Sequence, residues 1–179
     1  MIQKREECNI VDNVEKNSYV KKQITNALLK LLKEKELKDI SISEITTTAQ
    51  VSRISFYRNY EDKDSVIKEY MYLTLNEWNK NNPKSSQHTE EDILGDIFAY
   101  LTEYKDFYLL LKDRGILYFL KDIMRDLFGP KDEYTNLQAY TVAFINNGIY
   151  GWIEEWFLRG MQESGEEMTK LLKSRKHIK

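Results

Sequence analysis

Only two prolines and seven glycines interrupt this chain of 179 residues, and that scarcity of helix breakers constrains the fold more than any other feature. Both prolines fall where apolar periodicity also lapses, Pro83 within the polar run from Asn79 to Gln87 and Pro130 directly after Gly129. Between such breaks apolar residues recur at helical spacing, beginning with Ile24, Leu28, Leu31 and Leu32. The pattern predicts helices over about 18–37, 41–49, 53–60, 62–80, 89–103, 105–113, 116–128 and 134–161, and a last one after Gly165. Residues 1–17 show no clear period and read as a flexible arm. The alternation in Asp39–Glu44 imitates a strand, but Ser41 with Glu44 three residues later is a capping box, which opens a helix. Ile40 and Ile45 then occupy the hydrophobic-staple positions. The expected class is all-α, with about nine helices.

Composition removes several other classes. Hydrophobic residues make up 41% and charged residues 31% of the chain, too apolar for a disordered polyelectrolyte. Apolar runs such as Phe107–Leu111 are too short to span a bilayer, and Met1–Asn17 lacks the basic-then-apolar order of a leader. A single cysteine, Cys8, permits no intrachain disulfide, which suits a reducing cytoplasm. The expectation is a soluble cytoplasmic protein without membrane contact.

Enzymatic chemistry finds no set of residues to carry it. His88 lies in a polar linker and His177 in a basic tail, the Cys and His spacing of a metal site is absent, and no glycine-rich loop cradles phosphate. The many Asp and Glu residues read as solvated helix faces. No catalytic residue, metal or cofactor is expected. The charge balance points elsewhere: residues 18–68 hold ten Lys/Arg against seven Asp/Glu, whereas residues 69–179 hold fourteen against eighteen. A mildly basic segment on an acidic body is compatible with nucleic-acid binding.

The basic segment also contains the pattern that carries function. Two short helices joined by the turn Gln50-Val51, with Ser52 as cap of the second, form a helix-turn-helix behind a longer first helix. At about 100° per residue, Phe56 and Tyr60 share one side of the second short helix. Ile54 and Arg58 lie opposite, flanked by Arg53, Ser55 and Tyr57. The aromatic side suits a core, and the other side suits DNA. Arginines bond guanine or phosphate, serine is a short donor, tyrosine reaches phosphate, and an exposed isoleucine fits a thymine methyl.

The run from Ile42 to Tyr60, with Val51-Ser52, Phe56-Tyr57 and Tyr60, followed by Lys63 at the next helix start, resembles the DNA-binding domain of the TetR/AcrR family of transcriptional regulators. The resemblance covers residues 18–77. It implies that Tyr57 and Lys63 touch phosphates, that Thr47 touches the backbone, and that Arg53, Ile54, Ser55 and Arg58 lie near bases. Gln50 departs from the family's frequent glycine, Thr46 from its usual alanine, and Ile54 from a common small residue.

Residues 78–179 resemble the same family's variable effector-binding and dimerisation domain, most clearly from Phe144 to Met161. That segment is apolar on most of its circumference and therefore demands burial on more than one side. The resemblance implies a homodimer formed by the last two helices, with Phe144, Gly148, Trp156, Met168 and Leu171 at the interface. Such a dimer presents two recognition helices to a palindromic double-stranded operator. A small-molecule effector, where one acts, would enter between the fourth and eighth helices, near Tyr72, Trp78, Phe98, Tyr104, Phe107, Tyr118 and Trp152. The function implied is that of a DNA-binding repressor released by an effector. The competing expectation is a fold of this type acting mainly through a protein partner, as an activator or co-activator, with its C-terminal aromatics as the partner surface.

Overall fold

In the computed structural model the backbone is described for residues 2–81 and 90–174, and the side chains for residues 16–81 and 95–174. Every regular element among the described residues is helical. In chain order they are α1 (Ile2–Leu32), α2 (Ile42–Ala49), α3 (Arg53–Tyr57), α4 (Lys63–Asn81), α5 (Glu90–Glu103), α6 (Lys105–Asp113), α7 (Phe119–Phe128), α8 (Asn136–Leu158) and α9 (Gly165–Ser174), with a 3-10 turn at Leu37–Asp39 before α2. The chain divides into two compact units, Met1–Tyr70 and Met71–Lys179. The division falls inside α4 rather than at the polar run after it.

Two expectations change. The first helix does not begin at Ser18 but runs from Ile2, so an irregular arm over residues 1–17 is replaced by helix. With no proline or glycine before residue 33, nothing in the covalent chain ends the helix there. The recognition helix is also shorter than 53–60, because Arg58 is already its C-cap. Most of the linker after Asn81, the helix start at Thr89, His88 and the basic tail beyond Ser174 lie outside the described residues, as does the side chain of Cys8.

Local chemistry sets the helix starts. Ser41 Oγ accepts from the Glu44 amide at 3.2 Å while the Ser41 amide donates to Glu44 Oε2 at 2.9 Å, the reciprocal pair expected of a capping box. Thr135 with Gln138 repeats the device at α8, and Ser164 with Glu167 repeats it at α9. Asp62 caps α4 by accepting from the Ser65 amide at 2.7 Å.

The core of the first unit gathers Ile24, Leu28 and Leu32 of α1, Ile45 and Ala49 of α2, Phe56 and Tyr60 from around α3, and Val66 and Ile67 of α4. In the second unit α9 lies along α5, and α8 packs on α6 and α7. The α5–α9 approach is close: a Cβ on Gly165 would stand 2.9 Å from the Ala99 amide nitrogen, and one on Gly95 would stand 3.1 Å from Thr169 Oγ1. No helix among the described residues is long and apolar enough to cross a membrane.

Candidate nucleic-acid interface

Eight residues of α2 and five of α3, joined by a three-residue turn, make the helix-turn-helix. The turn requires one residue in the left-handed region, and Gln50 supplies it with φ 55° and ψ 39°. A glycine would sit there without strain, whereas glutamine costs about 1–2 kcal/mol. The amide of Val51 donates back to Thr46 O at 3.0 Å, and the Gln50 amide bonds Thr46 O and Thr47 O, so the carbonyls at the end of α2 find partners. Threonine at position 46 is accommodated by the same economy. Its hydroxyl donates to Ser43 O at 3.1 Å and needs no other partner in the buried site.

Helix α3 is strictly two-sided. Phe56 is fully buried and Tyr60 nearly so, their rings 5.9 Å apart. On the other side Arg53 and Arg58 are exposed, and Ile54 and Tyr57 keep 66% and 53% of their surface in contact with solvent. These four side chains, with the exposed Thr47 of α2, stand where the sequence places them. Ser55 is half-buried and already engaged: its amide donates to Ser52 Oγ at 3.0 Å and the two hydroxyls are 2.9 Å apart. It lies at the edge of the outward face rather than on it.

Lys63 is already engaged within the chain. Its ammonium donates to Lys38 O at 3.0 Å and Ile40 O at 2.8 Å, which leaves one of three protons for a phosphate. A cation at a helix N-terminus opposes the helix dipole, and these two carbonyls explain its placement. Lys63 ties the start of α4 to the link between α1 and α2.

The surface implied for dimerisation needs a larger correction. Trp156 is 2% exposed, packs edge-on against Phe98 and donates Nε1 to Glu163 O at 3.1 Å. Met168 is likewise buried, on the α9 helix that α5 covers. Both belong to the chain's own core and are not available to a second chain. Phe144, Gly148 and Leu171 are exposed as expected. Sequence reasoning missed Leu137, Tyr140 and Leu158, all of them exposed. With Phe144, Gly148 and Gly151 they fall within an arc of about 80° on α8, at 100° per residue. The spacing of 137, 140 and 144 carried that signal.

The aromatic residues named as effector linings do not form one group. Trp78 and Phe98 are buried, Tyr104, Phe107 and Trp152 are half-buried, and Tyr72 and Tyr118 are exposed. Trp78 lies 6.5 Å from Tyr100 and 6.1 Å from Phe128, and Tyr100 lies 4.9 Å from Tyr104. The Tyr100 hydroxyl donates to Thr74 O at 2.6 Å, and burial pushes its pKa up. Trp78 and Phe98 are core residues first, because their rings are consumed by neighbours within the unit. Among the described residues no group of three or more His, Cys, Asp or Glu side chains is placed to hold a metal ion.

Residues 87–174 match the family model described as "Transcriptional regulator C-terminal region", a TetR C-terminal domain. The C-terminal region of the chain is that of a TetR-family transcriptional regulator. The HTH-type transcriptional regulator YxbF of Bacillus subtilis (strain 168) is 29% identical to this chain over 153 residues, which is 74% of the chain and 39% of YxbF. The chain therefore spans well under half the length of that relative. A TetR transcriptional regulator from Streptococcus agalactiae 2603V, known as a crystal structure, shares the fold with a TM-score of 0.56 at 20% identity, covering 90% of this chain and 96% of that one. The helix-turn-helix sits in the N-terminal unit, and the family match falls in the C-terminal one.

Proposed function

We propose that this chain is a cytoplasmic TetR-family repressor that binds a palindromic operator as a homodimer and is released by a small-molecule effector. One observation carries the DNA-reading part: the outward face of α3 is made of Arg53, Ile54, Tyr57 and Arg58, while the face behind it is sealed by Phe56 and Tyr60. Two guanidinium groups, a phenol and an isolated aliphatic group offer bidentate bonds to guanine, a bond to phosphate and contact with a thymine methyl. Thr47 adds a neutral backbone contact. The role is one of binding, and no cofactor or metal is required.

Dimerisation is supported by the exposed apolar arc of α8, on which Leu137 and Phe144 are 77% and 82% exposed. Gly148 and Gly151 lie on the same arc, and a Cβ on either would meet nothing within 4 Å in the chain itself. Mid-helix glycine costs about 1 kcal/mol relative to alanine, and a second helix crossing closely at this point offsets that cost. Release by an effector would act through differential affinity for two conformations of the helical body, with the half-buried Tyr104, Phe107 and Trp152 as its contacts.

The test is selection of duplexes from a random pool by the full chain, beside an Arg58→Ala control, with the winners bound at two salt concentrations. A palindromic consensus that relaxes in the control and weakens with salt supports the proposal. No enrichment over random DNA would contradict it and favour action through a protein partner.

A further inference from the structure

A five-residue helix cannot hold its own orientation. Too few backbone bonds form to offset nucleation, so α3 must be aimed by what grips its ends. Its start is gripped by the Ser52 cap and the turn from α2. Its end is gripped through Tyr60, whose amide donates to Phe56 O at 2.9 Å, so that the ring moves with the last turn of the helix.

The Tyr60 hydroxyl donates to Glu69 Oε2 at 2.5 Å, and the other carboxylate oxygen of Glu69 accepts from Lys21 Nζ at 2.5 Å. Lys21 also stands 5.4 Å from the centre of the Tyr60 ring, a cation–π distance. The three groups come from α1, the end of α3 and α4, and each touches the other two. Both oxygens of Glu69 are committed, to two different elements. Tyr60 could be buried as a phenylalanine if packing were its whole task, since Phe56 beside it already shows that a plain ring fits this core.

We infer that Glu69 is a positioning residue for DNA recognition: anchored by Lys21, it holds the Tyr60 hydroxyl and thereby fixes the angle at which α3 presents Arg53, Ile54, Tyr57 and Arg58. The inference rests on the proposal that this face reads DNA. Glu69 lies outside that face, six residues beyond the start of α4, and touches no base or phosphate in this account. Its effect is on sequence discrimination rather than on general attraction to DNA, because discrimination depends on base-edge geometry and attraction depends on charge.

The experiment uses the full chain with Tyr60→Phe, Glu69→Gln and the double variant. Each is titrated with a duplex that the unmodified protein selects from a random pool, and with a scrambled duplex of equal length. Amide hydrogen exchange is measured without DNA. Each single variant is expected to lose on the order of tenfold in affinity for the selected duplex, the scale of one hydrogen bond to a charged acceptor. The double variant should lose no more than the worse single one, and affinity for the scrambled duplex should stay within about twofold. Exchange should quicken over residues 53–60 and stay unchanged over α2. Equal losses on both duplexes, or penalties that multiply in the double variant, would overturn the inference. If the unmodified protein selects no duplex, the DNA-reading proposal fails by itself, and exchange decides this one. Faster exchange confined to 53–60 supports the clamp, and unchanged exchange there overturns it.

Discussion

Helices α3 and α8 each turn one side to solvent and one to a core, but they divide along different chemical lines. On α3 the buried side is aromatic and the exposed side carries Arg53, Tyr57 and Arg58 around a single exposed isoleucine. On α8 both sides are apolar: Tyr150, Ile153, Trp156 and Phe157 face inward, while Leu137, Tyr140 and Phe144 face outward. A polar exposed side is stable in water and ready for a polyanion. A contiguous apolar exposed side is not, and it calls for a protein surface to cover it. Under the proposed function this contrast separates the work of the two units, one to meet DNA and the other to meet a second copy of the chain.

The largest effect that tests this contrast is Trp156→Ala. With Trp156 inside the core, the substitution should destabilise the chain by about 3–5 kcal/mol through the cavity it leaves, measured by denaturant unfolding at fixed protein concentration. A variant that stays equally stable and loses only self-association would reverse the sides assigned to α8. Next comes Phe144→Lys on the outward arc. Its own-chain stability should change by no more than about 0.5 kcal/mol, while sedimentation should show the dimer dissociation constant raised on the order of 30-fold or more. Unchanged association would remove the arc from the interface.

The smallest effect concerns how the helices begin. Glu44, held by the Lys35 ammonium and by the Ser41 amide and hydroxyl, has its pKa lowered to about 2. Glu167 is lowered in the same direction by the Ser164 amide and hydroxyl. A depressed folded-state pKa means that the stabilisation is complete above the ordinary value of 4.5 and declines as pH falls from there toward about 2. Helix α8 starts instead on Thr135 with Gln138, which do not titrate in that range. Acidification below the ordinary carboxyl range should therefore lower amide protection, relative to the intrinsic exchange rate, at the starts of α2 and α9 and leave it unchanged at the start of α8. Equal fraying at all three would contradict the capping account.

Why the outward side of α3 was legible in the sequence and the outward side of α8 was not follows from the same chemistry. Around α3 the contrast between Phe56 and Arg58 tells inside from outside without a structure, and the Ser41–Glu44 capping box locates α2 to the residue. On α8 a tryptophan and a phenylalanine carry no such contrast. Trp156 read as an interface residue because nothing in the sequence reveals that Phe98 of α5 and the Glu163 carbonyl are waiting for it. Met168 was misplaced for the same reason, since the α5–α9 pairing that buries it is a long-range contact. Lys63 shows the limit for charged residues: its position at a helix start was readable, but not the two carbonyls from the preceding link that occupy it. The continuation of α1 back to Ile2 was readable from the absence of proline and glycine, and a weak apolar period concealed it.

The claim that the outward face of α3 reads DNA is tested most directly by titrating Tyr57→Ala with a duplex that the unmodified protein selects. Tyr57 is 53% exposed, so the account predicts unchanged helicity and unchanged sedimentation. It also predicts a loss of affinity on the order of tenfold or more. Undiminished affinity, or a loss that appears only with loss of the dimer or of helicity, would contradict it.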